Sequence, residues 1–480
     1  MLNWWVKNFP IKYISMRNSF LCLILIFLFS SCKDDVPESY DILISNVKIV
    51  DVGSGNVTEG KLVLIEGDTI RRIVDEKDIN KFTARETLDA GGAFLMPGLW
   101  DMHVHFRGGD SLIAENKEFL PLFLAYGITT VRDAGGDITP ALLEWRDQIA
   151  QGILDGPRIF TPGPKLDGTR PAWPGSVMVT TSEEIETAMD SLESIGADYV
   201  KMYDGNLSKE AFYDIIKAAE TRGFKTTGHM PLTADFMEAI DHGLDGAEHM
   251  YYPLTACSPF ADSLRALNKG YGIVEQLIDS YDPEMAKEVF EKMSAENVYV
   301  TPTLYIGTTL SEILEKDHSS DSLLNYIGPG IRQTYQGRIE GAKRAQTSGS
   351  QMRQKMEAIS ARMIRPMYDA GVPILAGSDC GAFNSYVYPG ESLLGELNSL
   401  IEAGLSPREA LETSVINGPK FFDLLDSYGS VEQGKVAHLI LLQKNPLEDL
   451  GNLKNPGAVI KSGKLFSRED IDGIMRQIRN

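Results

Sequence analysis

Four of the seven histidines fall where short apolar segments end: His103 and His105 in LWDMHVH, His229 in TTGHMP and His249 in GAEHM. Imidazole nitrogens and carboxylate oxygens are the donors that suit Zn²⁺ and related divalent ions. His103 and His105 are two residues apart, and on a strand that spacing turns both side chains to the same face. His-x-His by itself is a weak signal, because two surface histidines satisfy it as well. Its context strengthens it: comparable segments end in Lys201 (DYVKMY) and Asp379 (LAGSDC). Six such residues converging on one point would make a divalent-metal site. Lys201 needs a separate argument. An ammonium beside two dications is disfavoured by desolvation and by like charge, and a lysine whose stem reaches the rim is the plain alternative. Beside a cationic cluster, carbamylation makes better physical sense. Reaction of the neutral amine with CO₂ gives an anionic oxygen ligand able to bridge two metals.

Converging ligands need elements that bring them together. Residues 41–74 read as short β segments around turns at 53–56 and 66–68, and 93–98 as a strand ending in Pro-Gly. Apolar β-rich segments then recur with helical stretches between them: 99–105, 129–133, 158–162, 199–203, 225–230, 246–249, 299–304 and 373–379. Such alternation reads as repeated βα units. The chain returns to β character at 435–443 and 458–462. We expect an α/β architecture: a (β/α)₈ barrel flanked by one small sheet module built from both termini. Residues 305–365 read as a polar, helix-compatible insertion after the seventh strand, placed over the C-terminal face where barrel active sites sit.

At 480 residues, length suggests about three domains, or fewer when one is a large barrel. Apolar residues at 43% and charged residues at 24% exclude wholesale disorder. The net charge of −21 argues against a nucleic-acid partner, whose affinity rests on Lys and Arg against phosphates. Four cysteines, Cys22, Cys32, Cys257 and Cys380, form no CxxC pair and no disulfide framework.

Residues 20–29 read FLCLILIFLF, preceded by Lys12 and Arg17 and followed by Ser30, Ser31 and Cys32. A charged start, a short apolar run and a small-residue exit describe a secretory signal peptide over 1–32. Ten residues make a helix of about 15 Å, half a bilayer core, so a spanning helix is not expected. Ser-Ser-Cys resembles a bacterial lipobox, with Cys32 as the lipidated residue, although Phe29 stands where that pattern prefers Leu. The expectation is an exported protein, periplasmic or at the cell surface, touching the membrane only through that lipid anchor.

The segments MPGLWDMHVH, YGITTVRDAGG, KMYDG, GHMP, GAEHM and GSDC, followed by VEQGKVAHLILLQKNPLEDL, resemble the amidohydrolase superfamily and within it the imidazolonepropionase/prolidase-like branch. The resemblance covers roughly residues 41–465. It implies a TIM-like (β/α)₈ barrel over 99–425 and a β-sandwich made of 41–98 and 426–470. It implies that His103, His105 and Asp379 hold a first metal ion, that His229 and His249 hold a second, and that carbamylated Lys201 bridges them. Both ions are expected to be Zn²⁺. A shared hydroxide would be the nucleophile and Asp379 the general acid/base. Two dications lower the pKa of water towards neutrality and polarise a scissile carbonyl, and Asp379 could carry the proton to the leaving nitrogen. The plain alternative for Asp379 is a capping carboxylate at a strand-to-helix turn.

The sequence departs from the family pattern in places. Relatives carry a GGHG stretch after the third strand, where this chain reads GPKLDGTRPAWPGS. Arg170, Lys165 and Trp173 are the nearby candidates for a substrate carboxylate, Arg170 first by its fork of donors. Tyr203 and Tyr305 lie just past strand ends and are candidate pocket residues. His242, His318 and His438 read as structural or surface residues, and Cys380 as small packing. The function expected is a binuclear metallohydrolase cleaving a C–N bond in a small amide, peptide or cyclic amide. The alternatives are a non-catalytic ligand-binding lipoprotein on the same scaffold and a hydrolase of lactones or phosphotriesters. A homo-oligomer is compatible with the chain.

Overall fold

A computed structural model describes residues 37–479. The signal-like run and Cys32 fall outside the described residues. Among the described residues no helix is long and apolar enough to cross a membrane.

The N-terminal strands are β1 (Glu38–Val50), β2 (Val57–Glu66), β3 (Thr69–Asp75), β4 (Phe82–Asp89) and β5 (Phe94–Pro97). The middle of the chain holds β6 (Leu99–His105), β7 (Ile128–Asp133), β8 (Arg158–Phe160), β9 (Leu166–Asp167), β10 (Val177–Met178), β11 (Val200–Met202), β12 (Thr226–Gly228), β13 (Gly246–Glu248), β14 (Tyr299–Thr301) and β15 (Cys380–Gly381). The C-terminal strands are β16 (Leu439–Leu442), β17 (Ala458–Lys461) and β18 (Lys464–Ser467).

Both chain ends build one sheet, ordered β18-β17-β16-β5-β1-β2-β3 with β4 also paired to β1. Its joint is β16 running antiparallel to β5, with Ile440 opposite Met96. The sheet has two apolar faces. Ile42, Ile44, Val63 and Ile65 enter one cluster with Leu95, Leu439 and Ile460, while Leu43, Leu62 and Leu64 turn to a second cluster with Phe82. Period-2 alternation of side chains along β1 and β2 sends successive aliphatics to opposite sides.

The middle strands pair in parallel, as β15-β6-β7-β8, β10-β9-β11-β12 and β13-β14, with helices such as Thr139–Ala150, Ser182–Ser194, Lys209–Arg222 and Pro283–Ala295 between them. Hydrogen bonds outside the ladders link these sets. Asp198 N–H donates to Thr161 O at 2.9 Å, and Leu375 N–H to Val300 O at 2.8 Å.

The ladders are shorter than the sequence pattern suggests, most of their strands two or three residues long, and 373–379 forms no regular strand. It is held by the Val300–Ile374 bridge, by Met102 N–H on Ala376 O, and by Asp379 N–H on His103 O at 2.7 Å. Backbone crowding explains the irregularity. A Cβ at Gly377 would come within 2.6 Å of the His103 Cβ, and Asp379 has a left-handed backbone, φ 55°. The insertion is helical, as its composition suggests: Leu304–Ser311, Pro329–Thr334, Gln336–Ser348 and Met352–Asp369.

Candidate metal centre

β6 delivers His103 and His105 to one side, with their Nε2 atoms 3.2 Å apart. Asp379 follows the irregular 373–379 segment, and its Oδ1 lies 2.9 Å from His105 Nε2 and 3.6 Å from His103 Nε2. These three side chains offer ligand atoms all within 4.8 Å of one another, the spacing a single ion requires. His229 leaves the end of β12 and His249 the end of β13, their ring centroids 5.1 Å apart, and the His249 ring is 5.2 Å from that of His103. Lys201, on β11, is 1% exposed. It does not reach the rim. Its Nζ makes no hydrogen bond, and Glu248 Oε1 is 3.4 Å away.

Carboxylates and hydroxyls orient these groups. Glu248 Oε2 is 2.6 Å from His103 Nδ1, so the opposite ring nitrogen points to His105. The other oxygen of Glu248 accepts from Arg132 at 2.8 Å and from Thr227 at 2.8 Å. His249 Nδ1 is paired with Thr303 Oγ1 at 2.7 Å, and Asn384 Nδ2 donates to Asp379 Oδ1 at 2.7 Å. Partners of this kind fix ring orientation and donor basicity at metal sites. His249, Thr303 and Asp379 all have positive φ, at 65°, 53° and 55°. For a β-branched residue such as Thr303 that conformation is costly.

Burial sets the charge states. It pushes the imidazoles of His103 and His105 down and that of His249 to about 3, so the rings are neutral donors. Burial also pushes Glu248 and Asp379 up. The surrounding cationic and imidazole groups, Arg132 foremost for Glu248, outweigh this and hold both carboxyls well below the usual range. Burial lowers the Lys201 amine to about 8, against the pull of Glu248.

A cavity of about 460 Å³ opens onto this cluster, lined by His229, His249, Asp379, Tyr203 and Asp204 on one side and by Arg338, Arg353 and Glu357 of the insertion on the other. The sequence profile of the amidohydrolase family matches residues 94–466, most of the chain. This chain belongs to the amidohydrolase family.

Among known proteins, the amidohydrolase is similar to the ochratoxinase of Aspergillus niger, 24% identical over 89% of this chain and 87% of that one. A shorter similarity joins it to the adenine deaminase of Geobacillus kaustophilus, 35% identical over 19% of this chain and 14% of that one. Its fold resembles that of bottromycin amidohydrolase, with a TM-score of 0.71 at 19% identity, covering 91% of this chain and 89% of that one. It also resembles a Xaa-Pro dipeptidase structure with bound methionine, with a TM-score of 0.64 at 22% identity, covering 89% and 99%.

The remaining candidates fall in different places. Tyr203 lines the cavity and stacks on His229 at 4.1 Å between centroids. Arg170 is exposed and is not among the lining residues. Its backbone N–H donates to Gly205 O, and Gly205 and Ala172, two residues on, line the cavity. Tyr305 is also not among them: its ring packs against Gly395 and its N–H donates to Glu396 at 2.7 Å. Lys165 is buried in an ion pair with Asp137, and Trp173 covers the Arg107 guanidinium at 4.3 Å. His242 packs on Tyr213, His318 stacks on Tyr386, and His438 is buried in the terminal sheet. Burial pushes the Cys380 thiol up, away from nucleophilic character.

The sequence reading missed Glu248, Arg132, Asn384, Asp204 and the insertion arginines. Glu248 escaped because strand alternation puts it on the face opposite His249. The left-handed turn at His249 brings both to His103. An acid directly beside a strand-end histidine was the available signal.

Proposed function

We propose that this amidohydrolase hydrolyses a C–N bond in a small amide or peptide using two divalent metal ions, zinc by its donor set. The ions would be held by His103, His105, Asp379, His229 and His249, with Lys201 carbamylated between them. The cluster would sit at the C-terminal end of a (β/α)₈ barrel formed by the three parallel sets, beside the composite β domain. One observation carries the reading: three ligand-type side chains meet within ion-binding distance beside a fully buried lysine whose Nζ makes no hydrogen bond and has Glu248, 3.4 Å away, as its charge partner. A buried amine without a hydrogen bond is costly, and a lysine amine lowered to about 8 has a neutral fraction near pH 7. In carbamylation the ammonium first loses a proton to water, and the neutral amine nitrogen then bonds to the CO₂ carbon and loses a second, so that a buried cation is replaced by an anion.

Two divalent ions bound there would supply Lewis acidity to water and to the scissile carbonyl. The protein's own residues do the rest. Asp379 takes a proton at its carboxylate and returns it to the leaving nitrogen. Asn384 holds that carboxylate by its side-chain amide, Glu248 and Thr303 fix the rings of His103 and His249, and the insertion helices cover the cleft and limit water.

The test is metal content together with turnover. Protein prepared with zinc and bicarbonate should hold close to two ions per chain and cleave members of a dipeptide and N-acyl amino acid panel. Lys201→Ala should lose that activity by about 10²–10³-fold, and short carboxylic acids should restore part of it by standing in for the carbamate. Active enzyme free of metal would overturn the reading. We also infer export with a lipid anchor at Cys32, from the apolar run and the Ser-Ser-Cys that follows. Cys32→Ser should move the protein from the membrane to the soluble fraction, and unchanged fractionation would refute the anchor.

A further inference from the structure

A second cavity, of about 570 Å³, lies where the terminal sheet meets the parallel sets. Asp68, His438 and Lys461 line it from the sheet, and Arg146, Asp147, Arg158 and Asp198 from the other side. Arg158 begins β8 and Asp198 lies just before β11, so the cavity is at the end of the parallel strands opposite to the one that His105 and His229 leave. Its polar groups are not used up on one another. His438 is 5% exposed, and neither of its ring nitrogens has a hydrogen-bond partner; Asp68 Oδ1 stands 3.4 Å from its Nε2. Burial lowers the imidazole pKa, so the ring is neutral and offers one N–H and one acceptor. Lys461 is equally buried and donates only to Ser462 Oγ, at 3.0 Å. Burial lowers its amine to about 8, which leaves it mostly charged at neutral pH. Arg158 donates to the Tyr428 hydroxyl at 2.6 Å. Among the described residues neither Lys461 nor Arg158 forms an ion pair. Of the acids, Asp198 is satisfied by Arg146 at 3.3 Å and by Thr161 N–H at 2.8 Å, and Asp147 is exposed to water. Asp68 pairs with no Lys or Arg among the described residues. The cavity therefore keeps two cations, a carboxylate and a buried imidazole without strong partners, and a buried polar group left so is costly. A ligand bearing both signs on neighbouring atoms answers all four. Its carboxylate would accept from Lys461, Arg158 and the His438 N–H, and its ammonium would donate to Asp68. Ile149, Ala150 and Ile159 supply an apolar wall.

We propose that this cavity is a second ligand site, separate from the metal cluster, which takes a free α-amino acid with an apolar side chain through Lys461, Arg158, His438 and Asp68. The proposal concerns binding alone and stands whether or not the cluster hydrolyses amides. A ligand seated there touches both the terminal sheet and the parallel sets, so it should hold the two together.

The probes are L-leucine, L-methionine and L-phenylalanine, each compared with the acid that lacks its ammonium and the amine that lacks its carboxylate (for leucine, 4-methylpentanoate and 3-methylbutylamine). At least one of the three amino acids should bind zinc-loaded native protein by calorimetry and raise its unfolding temperature. Its two single-charge analogues should bind about 10- to 100-fold more weakly, the range of one or two charge-assisted bonds. Lys461→Met keeps the aliphatic stem and loses the ammonium. Asp68→Asn changes a half-exposed turn side chain, so it tests the site without disturbing the core. Each variant should weaken binding by about the same factor. Absence of binding by all three amino acids at millimolar concentration overturns the site, and so does an acid analogue that binds as tightly as its amino acid. Undiminished binding in either variant overturns it as well, and in both variants it would place the amino acid at the metal cluster instead.

Discussion

The strand-end cluster and the terminal sheet bury their residues by opposite rules. In the sheet, Ile44, Val63, Leu64, Leu95, Leu439 and Ile460 are fully buried aliphatics, their backbones are paired in ladders, and ion pairs such as Lys61–Asp75 stay near water. At the cluster, Arg132, Glu248 and Lys201 are buried charged groups, the Lys201 amine makes no hydrogen bond, and three neighbouring residues have left-handed backbones. Burying charge costs more than its pairing returns unless the geometry is excellent. A fold tolerates that cost where chemistry needs it, and local rules are expected to fail at functional sites. The contrast implies that substitutions at the cluster should change turnover far more than stability, and substitutions in the sheet the reverse.

The largest effect on turnover is expected from Asp379→Asn. It keeps an oxygen of similar size but loses the basic carboxylate, so kcat should fall about 10²–10⁴-fold while part of the metal remains bound. Measuring kcat at full metal occupancy checks this, and a variant that keeps more than about a tenth of native kcat would remove Asp379 from proton transfer. A smaller effect is expected from Glu248→Gln, which leaves the His103 ring without its carboxylate partner. Metal affinity or activity should fall about 10–100-fold, the usual cost of such a loss, and titration with zinc measures it. The smallest effect on turnover is expected from Leu64→Ala in the sheet. It should cost about 2–5 kcal/mol of stability by thermal or denaturant unfolding and leave kcat of the folded enzyme unchanged. A large kcat loss in Leu64→Ala, or a pure stability loss in Glu248→Gln, would break the contrast between the two regions.

Several features were legible from sequence because they depend on short-range periodicity. His103 and His105 share a face because strand side chains alternate with period two, and β6 begins and ends where the pattern places it, at Leu99 and His105. The alternation of apolar segments with helical stretches marked the parallel units. The β-rich ends marked a module shared by both termini, which the pairing of β16 with β5 displays. Other features required tertiary structure. The irregular path of 373–379, the turn that brings Glu248 and His249 to the same ring, and the meeting of Arg338 with Asn384 all depend on contacts between segments far apart in the chain. Residue type indicated which side chains could carry the chemistry. Backbone conformation at a few left-handed positions, set by packing rather than by local propensity, decided which of them meet: Asp379, at φ 55°, joins His105.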